Sequence, residues 1–100
     1  MKYQLTQNAR RDIVALLRHT RAEFGLRVMG ELDRKLAKTF TFIGDFPHHV
    51  RQQEEFTNRP MLFFPVPPFW IVYRLRPNFV EIVGVVHSAR DMRTVLHNYE

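Results

Sequence analysis

The stretch Phe69-Trp70-Ile71-Val72-Tyr73-Arg74-Leu75-Arg76-Pro77-Asn78-Phe79-Val80-Glu81-Ile82-Val83-Gly84-Val85-Val86-His87-Ser88-Ala89-Arg90-Asp91 decides the fold. Its first run, Phe69 to Leu75, is built of the aromatic and β-branched residues that suit a pleated, half-buried surface. Val80 to Val86 repeats that character, and Arg76-Pro77-Asn78-Phe79 between them carries the proline and asparagine of a turn. The sequence therefore predicts a β-hairpin. Alternation along its first strand puts Phe69, Ile71, Tyr73 and Leu75 on a core face and Trp70, Val72, Arg74 and Arg76 on the other. That second face mixes aromatic, aliphatic and basic groups, as a surface covered by a partner does. Packing of Trp70 and Val72 beneath a loop of the same chain is an equal alternative. Where the second strand leaves the sheet stand His87-Ser88-Ala89-Arg90-Asp91, the foremost site candidate.

Upstream, Lys2 to Thr6 alternates weakly and fits a short opening strand. Thr6 is placed to cap a helix beginning near Gln7, whose apolar positions Ala9, Ile13, Leu16, Leu17, Thr20 and Phe24 follow steps of three and four. Gly25 closes it. Met29, Leu32, Leu36, Phe40 and Ile43 predict a second amphipathic helix from about Leu26 to Ile43, so the two form a helical hairpin wide enough to cover a sheet. Arg10, Arg11, Arg18 and Arg21 fall mainly off the apolar stripe, as on a solvated helix face. Gly44-Asp45-Phe46-Pro47 stops the second helix. His48-His49 lacks a carboxylate or cysteine at supporting spacing and is expected to be a solvent-facing pair rather than a metal site.

Val50 to Pro60 is polar and reads as a loop, with Glu54-Glu55 its acidic pair. Met61 to Phe64 is a short apolar strand, expected to end at Pro65-Val66-Pro67-Pro68 because proline supplies no ladder donor. Met92, Val95, Leu96 and Tyr99 predict a short terminal helix or ordered tail, with Asp91 as its N-cap.

A chain of 100 residues supports one core, so residues 1–100 are expected to form one domain. Hydrophobic residues at 45% and charged residues at 25% argue against disorder. No cysteine is present, which excludes disulfides and cysteine-ligated zinc and points to the cytoplasm. The N-terminus lacks the apolar core of a signal peptide, and no stretch approaches the length that spans a bilayer. Fifteen basic against ten acidic residues, with twelve of the fifteen arginine, give a net charge of +5 and suit an acidic partner, nucleic acid or protein.

The order strand, helix, helix, strand, strand, strand, closed by His-x-x-Arg-Asp, resembles the RelE/ParE superfamily of toxins of bacterial type II toxin-antitoxin modules, in its ParE-like branch. The likeness is carried by Leu5-Thr6 leading to Ala9 and Asp12-Ile13, Phe24-Gly25, Pro47, Ile71-Val72-Tyr73-Arg74, and His87, Arg90 and Asp91. It implies an α+β fold, a helical hairpin packed on a small antiparallel sheet, and a toxin held inactive by the C-terminal segment of a small acidic antitoxin. The ParE-like branch is associated with poisoning DNA gyrase and arresting replication; the RelE-like branch cleaves mRNA on the ribosome. One scaffold carries both activities, so both remain open.

Metal-free RNA cleavage needs a base, an acid and cations for the developing phosphorane. His87 would be acid or base, Arg74 and Arg90 would brace phosphate, and Glu54 or Glu55 would be a further base. The set is sparse, and Lys2, Lys35 and Lys38 all lie away from the hairpin, which leans away from an enzyme. Asp12, Gly25 and Asp91 are expected to be structural. Trp70, Val72, Arg74, Arg76, His87 and Arg90 are the candidates for contact with antitoxin or target, and no metal or cofactor is expected.

Overall fold

In the computed structural model, which describes residues 2–47 and 61–97, the elements are β1 (Lys2–Leu5), α1 (Gln7–Phe24), α2 (Leu26–Asp45), β2 (Leu62–Val66), β3 (Phe69–Leu75), β4 (Phe79–His87) and α3 (Met92–His97). Thr6 both starts the first helix and ties it to the sheet. Its hydroxyl accepts the Ala9 N–H at 3.1 Å and donates to the Val83 carbonyl at 3.1 Å, so an N-terminal donor that the helix leaves free is satisfied locally. Gly25 alone joins α1 to α2, at φ 92 and ψ 173. Its N–H returns to the Arg21 carbonyl while its own carbonyl accepts from Met29, so one residue ends one helix and opens the next. A positive φ of this kind is open to glycine and strained for other residues.

The four strands form one sheet in the order β1-β4-β3-β2. The β2–β3 and β3–β4 pairs are antiparallel, as the hairpin pattern predicts, and β1 adds to β4 in parallel, with Lys2 opposite Phe79 and Leu5 opposite Ile82. β2 runs through Pro65 to Val66, beyond the expected stop, because it is an edge strand on which a missing donor breaks no second ladder. Pro67-Pro68, joined by a cis peptide bond, leads directly into β3.

The helical hairpin lies on one face. Leu36, Phe40 and Ile43 of α2 and Ala9 of α1 join Val66, Ile71, Tyr73, Val80, Ile82 and Val85 in the main core, where each fully buried aliphatic or aromatic side chain contributes roughly 1.5–3 kcal/mol. Tyr73 is fully buried, and its hydroxyl donates to the Pro47 carbonyl at 3.0 Å, which fixes the end of α2 to the middle of the sheet.

A bulge changes the phase of β4. Val72 pairs with Gly84 and Tyr73 with Ile82, leaving Val83 as the extra residue. Val80 and Ile82 before it and Val85 after it all join the helix-side core, whereas Val83 and Val86 join a second cluster. That second cluster contains Met61, Phe63, Val72 and, from α3, Met92, Val95 and Leu96, with Trp70 packed at its margin. The far face of the hairpin is therefore filled in part by the chain itself. Val72 is fully buried, which withdraws it from any partner surface, and Trp70 is half-buried. Leu75, expected in the core, lies at the strand end and is exposed.

Candidate functional site

At the exit of β4 the backbone folds into a closed turn. The Arg90 N–H donates to the His87 carbonyl at 3.0 Å, and the Ser88 N–H to the Pro68 carbonyl at 2.8 Å, which anchors the turn to the β2–β3 connection. His87 Nδ1 accepts the Ala89 N–H at 3.0 Å, and the imidazole stands edge-to-face on Phe69 with centroids 5.5 Å apart. One ring nitrogen is thus committed to the turn, leaving Nε2 as the nitrogen for outside chemistry. Asp91 caps α3 as expected, accepting from Arg93 N–H at 3.2 Å and from the Thr94 hydroxyl at 2.9 Å.

This turn borders a groove of about 250 Å³ between α1 and the ends of β3 and β4. His19, His87 and Arg90 supply its polar wall together with Asp12, and Phe69, Leu16 and Val85 its apolar one. Asp12 accepts the Val85 N–H at 3.1 Å. β1 has ended by this point, so α1 supplies through Asp12 the acceptor that a longer β1 would have provided. The groove offers two imidazoles and a guanidinium over an apolar floor, a setting that suits an anionic or aromatic group of a partner.

Arg74 and Arg76 stand elsewhere. Arg74 Nε donates to Glu81 Oε1 across the hairpin, and Arg76 Nη2 reaches the same oxygen at 3.2 Å. Partial burial pushes the Glu81 carboxyl up, but the hydrogen bonds and charges of Arg74 and Arg76 outweigh it and hold the group below its ordinary range. Since Phe69 pairs with His87 and Arg74 with Glu81, Arg74 lies on the order of 16 Å along the ribbon from His87, at a rise of about 3.3 Å per residue. The structure brings His87 and Arg90 together and separates both from Arg74 and Arg76; Trp70, opposite Val86, stands at the His87 end of the ribbon but packs on Phe63 in the second cluster.

His48, His49, Glu54 and Glu55 lie outside the described residues. Among those described, no group of three histidine, cysteine or acidic side chains could hold a metal ion, and no helix is long and apolar enough to cross a membrane. Two residues escaped sequence reasoning. Glu81 was readable, because the hairpin turn sets it opposite Arg74. His19 lies seven residues after Asp12, on the same side of α1, a spacing that carries weight only once Asp12 is known to face the sheet.

A mixed sheet whose first and last strands are neighbours, a one-glycine helical hairpin across one face, and a His-x-x-Arg-Asp turn at the end of the central strand define a small α+β domain of the RelE/ParE type. The sequence matches the family described as the ParE toxin of type II toxin-antitoxin system, parDE, over residues 3–92. The chain belongs to the ParE toxin family. The fold is similar to a solved chain described as the chromosomal ParDE TA system from P. aeruginosa, with a TM-score of 0.73 and 13% identity, covering 87% of this chain and 95% of that one. No curated protein sequence matches significantly.

Proposed function

We propose that this protein is the toxin of a type II toxin-antitoxin module, neutralised by a cognate antitoxin, and that it acts by protein contact on DNA gyrase rather than by cleaving mRNA. The observation that carries the reading is the division of the nuclease candidates. Among the described residues His87 and Arg90 share a groove with His19 and with Asp12, which is engaged by the Val85 N–H, while Arg74 is held by Glu81 at the far end of the ribbon. A phosphorane would need these groups within reach of one phosphate. A groove with an apolar wall and the Arg90 guanidinium beside it instead suits recognition of a protein surface. The antitoxin would bring acidic groups and apolar anchors to the flank of Trp70, Arg74 and Arg76, in the cytoplasm where both partners are made.

The purified protein is expected to inhibit supercoiling by gyrase and to trap its cleavage complex, and His87→Ala to retain that effect. Ribosome-dependent mRNA cleavage that is lost in His87→Ala, with supercoiling untouched, would replace this reading by the endoribonuclease one. Toxin and antitoxin purified separately should co-elute on gel filtration at micromolar concentration.

A further inference from the structure

We infer that the outer face of α1 is a docking surface for the phosphodiester backbone of duplex DNA, carried by Arg10, Arg11, Arg18 and Arg21. With 3.6 residues per turn these four fall within an arc of roughly 100°, opposite the side that bears Ala9 and Ile13 toward the sheet. All four are exposed, and none has an ion-pair partner among the described residues. The same face holds Gln7, Val14, Ala15 and Ala22 and no carboxylate. The two acids of α1 lie off this arc, Asp12 being turned to the Val85 N–H and Glu23 falling beside Asp12 on the helical wheel.

On α2, by contrast, Arg27 is paired with Glu31 at 2.7 Å, the arrangement of an exposed helix that balances its own charge. Among the described residues α1 leaves four guanidiniums unbalanced over about 16 Å of axis, a repulsive arrangement that an external polyanion relieves. A shallow groove of about 350 Å³ runs among Arg10, Arg11, Val14 and Arg18 and meets the His19–His87–Arg90 groove at Ala15, which lines both. The two grooves therefore adjoin, and the second carries Arg90 on its wall.

Duplex is favoured over single-stranded nucleic acid because no aromatic ring on which an unpaired base would stack lies within the arc of the four arginines, the exposed Phe24 falling outside it beside Arg21. Guanidiniums on phosphates position a protein without reading sequence, so binding is expected to be sequence-independent. This inference stands apart from the gyrase reading, since it concerns free duplex and the intact chain alone.

The test is fluorescence anisotropy of a labelled 20-base-pair duplex against the full chain across a salt series. Four phosphate contacts give a slope of log K on log salt of about −3.6, a fall of roughly 150-fold between about 50 and 200 mM salt. Each single Arg→Gln substitution should lower the slope by about 0.9, and the fourfold variant should lose binding. Arg27→Gln should leave the slope unchanged. The single variants keep the test decisive if the fourfold one folds poorly, with melting temperatures as the check. The inference is overturned if the duplex does not bind at about 50 mM salt, if the single variants keep the full slope, if only single-stranded RNA binds, or if polyglutamate binds as tightly as the duplex, which would assign the face to an acidic protein.

Discussion

Replacing Tyr73 by phenylalanine isolates the bond that fixes α2 to the sheet. The ring is fully buried and its hydroxyl donates to the Pro47 carbonyl at 3.0 Å. Phenylalanine keeps the ring and leaves that buried carbonyl unpaired, which costs about 1–3 kcal/mol; release of the hydroxyl's own burial offsets part, leaving about 1.5 kcal/mol. For a domain of this size the melting temperature should fall by roughly 6–12 °C, with the urea m-value unchanged. The pH dependence is sharper. Burial pushes the Tyr73 hydroxyl up from 10.0 to about 12, so the folded state holds its proton after the unfolded chain has released it. Stability from this group is therefore complete below pH 10 and drains as pH rises toward 12, by about 0.4 kcal/mol at pH 10 and about 1.4 kcal/mol at pH 11. The phenylalanine variant lacks that loss. Its deficit, measured by urea unfolding at pH 7, 9, 10 and 11, should shrink and vanish near pH 11. A deficit that stays constant from pH 7 to 11 would refute the burial of an ionisable hydroxyl at this position.

The other expectations can be checked with the same unfolding measurements. Glu81→Gln should cost about 1 kcal/mol at pH 7, a modest figure because its arginine partners are partly exposed. Because the Glu81 carboxyl is held low, its contribution is present above the ordinary glutamate range and lost as pH falls through the folded value; the variant's deficit should close on acidification. A deficit that persists at pH 2 would rule out the ionic account. Asp12→Ala should cost about 1.5–3 kcal/mol by removing a charged acceptor from the Val85 N–H, and an unchanged urea midpoint would contradict that bond. In Gly25→Ala the added methyl meets no atom within 4 Å, so only the backbone at φ 92 resists it. The expected loss is about 1–3 kcal/mol, and a gain in stability would show that the hinge tolerates other conformations.

The helices were legible because their signals are local. Thr6 caps, Gly25 breaks, and Met29, Leu32, Leu36, Phe40 and Ile43 mark a stripe that depends only on neighbours a turn away. The hairpin was equally legible in its strands and turn. Alternation also sorted β3, with Ile71 and Tyr73 facing the helices and Trp70 and Val72 the other way; it could not sort β4, which runs without a polar residue from Ile82 through Val86 and leaves nothing to contrast when both faces are buried. The bulge at Val83 is hidden for that reason. The fate of Val72 was hidden for another: the stripe Met92, Val95 and Leu96 shows that a terminal helix has an apolar side, but spacing does not say which surface it covers. In the candidate site, the cap at Asp91 and the proximity of His87 to Arg90 follow from a few consecutive residues, whereas the approach of His19 and Asp12 depends on how α1 crosses the sheet.

The adjacency of β1 and β4 bears on how the protein is made. Lys2 pairs with Phe79, so the first strand of the sheet leaves the ribosome with no neighbour until the fourth arrives. Closure across such a span is slow, and a nascent or prematurely terminated chain cannot complete the sheet. The complete sheet, and with it the groove that Val85 and His87 line against α1, is thereby withheld until β4 has emerged.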